Sequence, residues 1–272
     1  MLMRMRRTYV HGHHRRARRR LQDQADALVE LLHHDTNYER GCRVLEVGCG
    51  IGAQTVTLAQ RSPDASFVSV DVSATALATA RRATRAAGIG NVEFRQADIF
   101  DLPFEGSQFD HVFVCFVLEH VRHPTRALSR LLDGLKPGGT VTVIEGDHGS
   151  AYFHPDSVAG RAAIQCQVSL QADAGGNALI GRQIYPLMVS AGLSDVRVSP
   201  RMVYVDATHP GLVERFTEKT FIAMIEDVRR PALVGRLTTA KRFDRGIRDL
   251  RRTKREDGVF CYTFFKGVGV LE

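Results

Sequence analysis

Between residues 42 and 147, short β-branched runs alternate with helix-patterned segments, and this alternation constrains the fold more than any other feature of the chain. CRVLEVG (42–48), SFVSVDV (66–72), VEFRQAD (92–98), FDHVFVCF (109–116) and TVTVIEGD (140–147) read as strands. Helices are expected over 52–62, from Ser73 through Gly88, and over 124–135, the last closed by KPGG. Strands joined by crossovers of this length pair in parallel, so a parallel α/β sheet follows. The fourth and fifth runs are almost wholly apolar, as central strands covered on both faces should be.

After Asp147 the rhythm breaks. Residues 148–181 mix Gly, Pro, His and aromatic side chains without a clean period and read as an insertion. A short helix is expected around 182–193, then one long strand or two short ones over 194–207. Leu212, Val213, Phe216, Phe221, Met224, Ile225 and Val228 form an amphipathic stripe at helical spacing within a second insertion, 208–257. VFCYTFFKGVGV (259–270) closes the chain as a final strand. The expected plan is an N-terminal helical segment over 1–41, with a helix near 15–34, followed by one domain over 42–272 carrying the two insertions.

No apolar run approaches the roughly 20 residues that cross a bilayer, so no membrane partner is expected. The five cysteines are scattered and never spaced as CxxC, which points to a reducing, cytoplasmic setting without disulfides or structural zinc. A net charge of +7 comes from 32 Arg and five Lys spread along the chain, apart from clusters at 4–20 and 242–255. Charge of this kind speaks to association rather than to fold, and a nucleic-acid partner is not the first expectation. The stretch TYVHGHHRRARRR places His11, His13 and His14 together, but no carboxylate or Cys lies near to complete a metal site, and no metal is expected.

VLEVGCGIG carries the strongest chemical signal. Gly48, Gly50 and Gly52 leave an apolar strand and open a helix, where glycine lets the backbone turn sharply and approach a ligand. The spacing is GxGxG, not the GxGxxG that seats a pyrophosphate on a helix N-terminus. Glu46, two residues before the first glycine, suits a ligand that carries an ammonium group. Asp71 ends the second strand, where a carboxylate can accept from both hydroxyls of a ribose. Asp98 follows the third strand and can take an adenine amino group while Ile99 packs on the ring.

Together ExGxGxG, the strand-end acid, the AD pair, FDHVFVCFVLEHV and LKPGGTVTVIE resemble the class I S-adenosylmethionine-dependent methyltransferases, over about residues 42–147 and again at the final strand. The resemblance implies a Rossmann-like, seven-stranded, mostly parallel sheet whose last strand is antiparallel, with an N-terminal helical lid and a helical cap insert. It also implies S-adenosyl-L-methionine as cofactor, held by Tyr9, Glu46, Gly48, Cys49, Gly50, Gln54, Asp71, Val72, Asp98, Ile99 and Cys115. LEHVRHP is most similar to the small-molecule branch. The flanks GCGIGAQT, FVCFVLEH, IEGDHGSAYFHP and GRQIYP resemble a microbial specialised-metabolism subgroup that includes indole C-methyltransferases of the teleocidin pathway and of tryptophan diketopiperazines. Fungal carboxyl methyltransferases share part of that pattern. Relatives exchange N-terminal helices between subunits, so a homo-oligomer is expected.

The acceptor site is expected beyond the carboxyl ends of the fourth and fifth strands. His148 is the candidate base, because an imidazole accepts a proton at neutral pH, with Asp147 beside it and Glu145 as the alternative. Adjacent residues on an extended strand point apart, so an Asp–His pair is not assured. Tyr185 can donate to a carbonyl or stack on an aromatic substrate. His11, His13, Phe116, Tyr152 and Arg182 complete the expected substrate wall. The leading expectation is carbon methylation of an indole-containing metabolite. Competing readings are a carboxyl, O- or N-methyltransferase of a small molecule, an RNA methyltransferase, and a regulator that binds S-adenosylmethionine without transferring its methyl group.

Overall fold

The computed structural model describes residues 24, 25, 27–104 and 106–272. Seven strands form one sheet in the order β3-β2-β1-β4-β5-β7-β6. They are β1 (Arg43–Val47), β2 (Ser66–Asp71), β3 (Val92–Gln96), β4 (Phe109–Cys115), β5 (Leu135–His154), β6 (Ser194–Val205) and β7 (Val259–Val270). Strands β1 to β5 pair in parallel. The start of β5 meets the end of β7, with Gly138 N–H donating to Leu271 O at 2.7 Å and Leu271 N–H to Gly139 O at 2.9 Å, so β7 runs antiparallel. This is the class I methyltransferase arrangement expected from the sequence.

Inter-residue contacts divide the chain into two compact units. The larger comprises Leu28–Asp147, Leu179–Met202 and Thr263–Glu272. Its helices are α1 (27–33), α2 (Ala53–Arg61), α3 (Ala74–Ala86), α4 (Pro124–Leu132) and α6 (Ile184–Ser190). Side chains alternate across a strand, so each strand serves two layers. Leu45, Val47, Val68, Val70, Val112, Val114, Val141 and Val143 pack with Leu128 and Leu131 of α4 and with Ile184 and Met188 of α6. Residues of the opposite parity meet α1 and α2: the His33 ring lies 5.8 Å from the Phe113 ring, and Thr55 of α2 bonds Glu46 of β1. Lys266 of β7, 4% exposed, anchors the chain after α1 by donating to Asp35 Oδ1 at 2.6 Å and Thr36 Oγ1 at 2.5 Å. A buried ammonium is tolerated only with such a full set of acceptors.

The other unit includes His148–Ala178 and Val203–Tyr262. Here α5 (Val158–Asp173) packs on α7 (Ala240–Arg252) at Gly246, where a Cβ would lie 2.4 Å from Ala159 O. Phe216, Phe221, Phe260 and Tyr262 form an aromatic cluster with ring centroids 4.6–6.1 Å apart.

Three expectations need correction. KPGG does not close a helix: α4 ends at Leu132, and residues 136–139 belong to β5, where pairing with Leu271 recruits them. Residues 148–181 are not irregular, since β5 continues to His154 and α5 follows, capped by Ser157 Oγ accepting from Gly160 N–H. The stripe at 211–230 is helical, but Val213–Ile222 is π-helical. Phe216 and Phe221 are five residues apart, a spacing that one face of an i→i+5 helix accommodates, and Thr220 Oγ1 bonds Arg215 O five residues back. Among the described residues no helix is long and apolar enough to cross a membrane.

The turn between β1 and α2 needs glycine in two different senses. Gly50 has φ +54° with open space around its missing Cβ, whereas Gly52 has φ +84° and a Cβ there would sit 2.9 Å from Ala80 Cα. Gly50→Ala should cost only the left-handed penalty, about 1 kcal/mol, and Gly52→Ala about 3 kcal/mol because overpacking is added. Urea unfolding of both variants checks this; equal losses would contradict the close approach of α2 and α3.

Candidate functional site

The glycine turn stands at the carboxyl end of β1. Gly48 and Cys49 N–H both donate to Val70 O, at 2.8 and 3.0 Å, which lays the turn across the end of β2. Gly48, Gly50 and Gly52 all have φ between +54° and +84°, a region costly for other residues. Asp71 secures the turn from the next strand: its Oδ2 accepts from Gly50 N–H at 2.9 Å and its Oδ1 from Ser73 N–H at 2.8 Å. Val72 follows, half exposed.

Glu46 is buried behind the turn. Thr55 and Ser69 hydroxyls donate to its Oε2 at 2.7 and 2.6 Å, which leaves Oε1 to accept from a ligand. Burial dominates its titration and pushes the carboxyl up to about 7, opposed by the two hydroxyls. Ser69 and Thr55 were not singled out from the sequence. Parallel register sets Ser69 opposite Glu46, so the pairing of β1 with β2 was the signal for it.

Gln54 lies in the first turn of α2, where its Oε1 is hydrogen-bonded by His33 Nε2 at 2.6 Å. Burial holds the His33 imidazole down to about 4, so it is neutral at pH 7. His33 was likewise not marked as a neighbour of this site. Cys49 and Cys115 are buried, and burial raises both thiols, so neither is a nucleophile near neutrality. Asp98 Oδ1 accepts from Phe100 N–H at 3.1 Å, and Ile99 is seated in the core cluster.

The acceptor-side candidates separate into distinct contacts. Asp147 is buried and makes a two-bonded ion pair with Arg182, Nε to Oδ2 at 2.6 Å and Nη2 to Oδ1 at 2.8 Å. Arg182 therefore meets a carboxylate of its own chain. His148 is buried, with Nδ1 2.7 Å from Tyr262 Oη and its ring edge-on to Phe221. Tyr262 is a further residue the sequence did not mark, because 114 residues separate it from His148. Glu145 is fully buried and accepts from two backbone N–H groups of the turn after β4. Phe116 begins that turn, its ring 5.5 Å from the Phe264 ring. Tyr152 and Tyr185 are exposed, at 64% and 56%. Tyr9, His11 and His13 lie outside the described residues.

A family model described as a methyltransferase domain matches residues 44–139. Over 105 residues the chain is 40% identical to the demethylmenaquinone methyltransferase of Clavibacter sepedonicus, covering 39% of this chain and 41% of that protein. The matches span from 24% to 53% of the length of the first curated relatives. Among solved structures, Haemonchus contortus phosphoethanolamine N-methyltransferase 2 in complex with S-adenosyl-L-methionine is similar over 92% of this chain and 52% of that one, with a TM-score of 0.55 and 18% identity. The [4+2]-cyclase SpnF is similar over 92% and 81%, with a TM-score of 0.53 and 18% identity. At such identities the likeness is one of fold, and its hosts differ in chemistry, so function must be argued from the site.

Glu46 makes the site visible without a ligand. Its carboxyl ionises near 4.5 when unfolded and near 7 when folded, so the folded chain holds the extra proton between those values. Its contribution to stability is therefore full below pH 4.5 and is lost as the pH rises through 7. Glu46→Gln should flatten this decline by up to about 3 kcal/mol across that window. Unfolding curves of wild type and variant that run parallel from pH 4.5 to 7 would refute the assignment.

Proposed function

We propose that the chain is an S-adenosylmethionine-dependent methyltransferase that acts on a small molecule. One observation carries the reading: a buried carboxyl, Glu46, keeps an oxygen available behind a left-handed glycine turn that a second acid, Asp71, secures from the next strand. Carboxyls so arranged attract a ligand bearing an ammonium and a sulfonium and repel a pyrophosphate. The methyltransferase-domain match over 44–139 supports the same reading.

The residues present fit this cofactor. Ionised Glu46 accepts from the ammonium through Oε1. Asp71 spends part of its acceptor capacity on Gly50 and Ser73 and keeps the rest for the ribose hydroxyls. Asp98 accepts from the adenine amino group, and Ile99 braces that wall from the core. Gln54, oriented by His33, stands in the helix that the turn opens. When bound, S-adenosylmethionine supplies an electrophilic methyl carbon on a positively charged sulfur. In-line transfer of that carbon asks the protein for proximity, orientation and exclusion of water. Where the acceptor must lose a proton, His148 takes it, its ring oriented by Tyr262.

The finer assignment is carbon methylation of an indole-bearing metabolite, which rests on the flanking motifs alone. A small-molecule carboxyl, O- or N-acceptor competes with it, and similarity to a demethylmenaquinone methyltransferase supports the small-molecule class without favouring an indole. RNA is the weaker substrate class. In the basic segment 242–255, Arg251 pairs with Glu226, Arg252 with Asp257 and Lys254 with Glu218, which spends much of its charge internally. The adjoining cleft of about 620 Å³, between residues 155–159 and 239–252, has no aromatic lining on which bases could stack.

Labelled S-adenosylmethionine offered with tryptophan cyclic dipeptides, quinones, small carboxylic acids and amines, and bulk RNA tests this. Label should enter a small molecule; label entering RNA alone, or nothing at all, would reject the proposal. Because only ionised Glu46 holds the ammonium, cofactor affinity should weaken by about tenfold for each pH unit below 7. Glu46→Gln should bind weakly with no such slope, and calorimetry at pH 5.5 to 8 reads both.

A further inference from the structure

The chain leaves β4 through a turn that its own sequence disfavours. Phe116 has φ +57°, a left-handed conformation that is an outlier for a bulky residue. The next residue is driven close to the glycine turn: a Cβ on Gly48 would lie 2.3 Å from Val117 Cγ2. Such a conformation persists only where its surroundings over-determine it.

The surroundings here are specific. Phe116 N–H donates to Ile144 O at 2.9 Å, one residue before Glu145. Val117 and Leu118 N–H then converge on Glu145 Oε1, at 2.9 and 2.6 Å. Glu145 is 0% exposed, and its Oε2 is buried with no partner. Burial first, and the neighbouring Glu119 carboxylate second, push its pKa well above the ordinary range. Its placed oxygen is already committed to two backbone N–H groups, which is the geometry of a clamp.

We propose that Glu145 is a positioning residue, its carboxyl clamping the strained Phe116–Leu118 turn against Gly48 and so fixing one wall of the cofactor pocket. This deepens the reading of the Gly48 turn as the S-adenosylmethionine site and rests on it. It also takes Glu145 out of the role of alternative base. The clamp needs one acceptor oxygen in this place, and a glutamine supplies it.

Glu145→Gln and Glu145→Ala separate the roles. In Glu145→Ala the amides of Val117 and Leu118 lose their acceptor and should exchange with solvent about tenfold faster or more. Cofactor affinity should fall about tenfold with them, while turnover at saturating cofactor changes less. Glu145→Gln should keep amide protection, affinity and the pH profile of turnover within about threefold of wild type. If Glu145→Ala does not fold, Glu145→Asp, whose carboxyl sits one methylene short, takes its place with the same expected losses. Unchanged amide protection in the shortened variant overturns the clamp. So does a Glu145→Gln variant that loses turnover while keeping affinity and protection, since that marks a proton carrier. A wild type that binds no S-adenosylmethionine overturns the proposed function instead, and amide exchange, which needs no ligand, still decides the clamp.

Discussion

A buried carboxyl behind a left-handed glycine turn is the constraint on which the site depends. Glu46 cannot lie in the interior without compensation, and the Thr55 and Ser69 hydroxyls supply only part of it. The remainder is an acceptor oxygen, Oε1, that neither hydroxyl engages and a pKa raised to about 7. A chain selected for stability alone would fill that position with an apolar residue of similar size. The acid is kept at a cost, which the proposed binding of a cation at the turn would offset.

The same economy runs through the neighbouring strands. Asp71 holds the turn from β2 and Glu145 holds the facing turn from β5, each by accepting from backbone N–H groups. Gly48 and Val117 meet between them at a distance only glycine permits. These facing turns are therefore main chain shaped by carboxyls. This also explains why the fold hosts different chemistries: the scaffold fixes a cofactor geometry, and the acceptor side is supplied separately.

Most of the sheet was legible because its signals are local. Period-two and apolar runs located all seven strands, and the GxGxG spacing with Glu46, Asp71 and Asp98 located the turn and its acids. What escaped depended on distance in sequence. KPGG reads as a helix terminator until Leu271, over 130 residues later, pairs with it. Tyr262 is invisible as a partner of His148 for the same reason, and so is the ion pair that joins Arg182 to Asp147. The π-helical Val213–Ile222 was missed differently: its five-residue Phe spacing is a local signal, but it sits inside a stripe that an ordinary helix also explains.

The central claim is that the acids around the glycine turn select a sulfonium cofactor over a phosphate-bearing one. Titration calorimetry of the purified chain with S-adenosylmethionine and, separately, with a nicotinamide dinucleotide measures this directly. The account predicts saturable binding of one S-adenosylmethionine per chain and no detectable heat with the dinucleotide. Saturable binding of the dinucleotide, with none of S-adenosylmethionine, would contradict it.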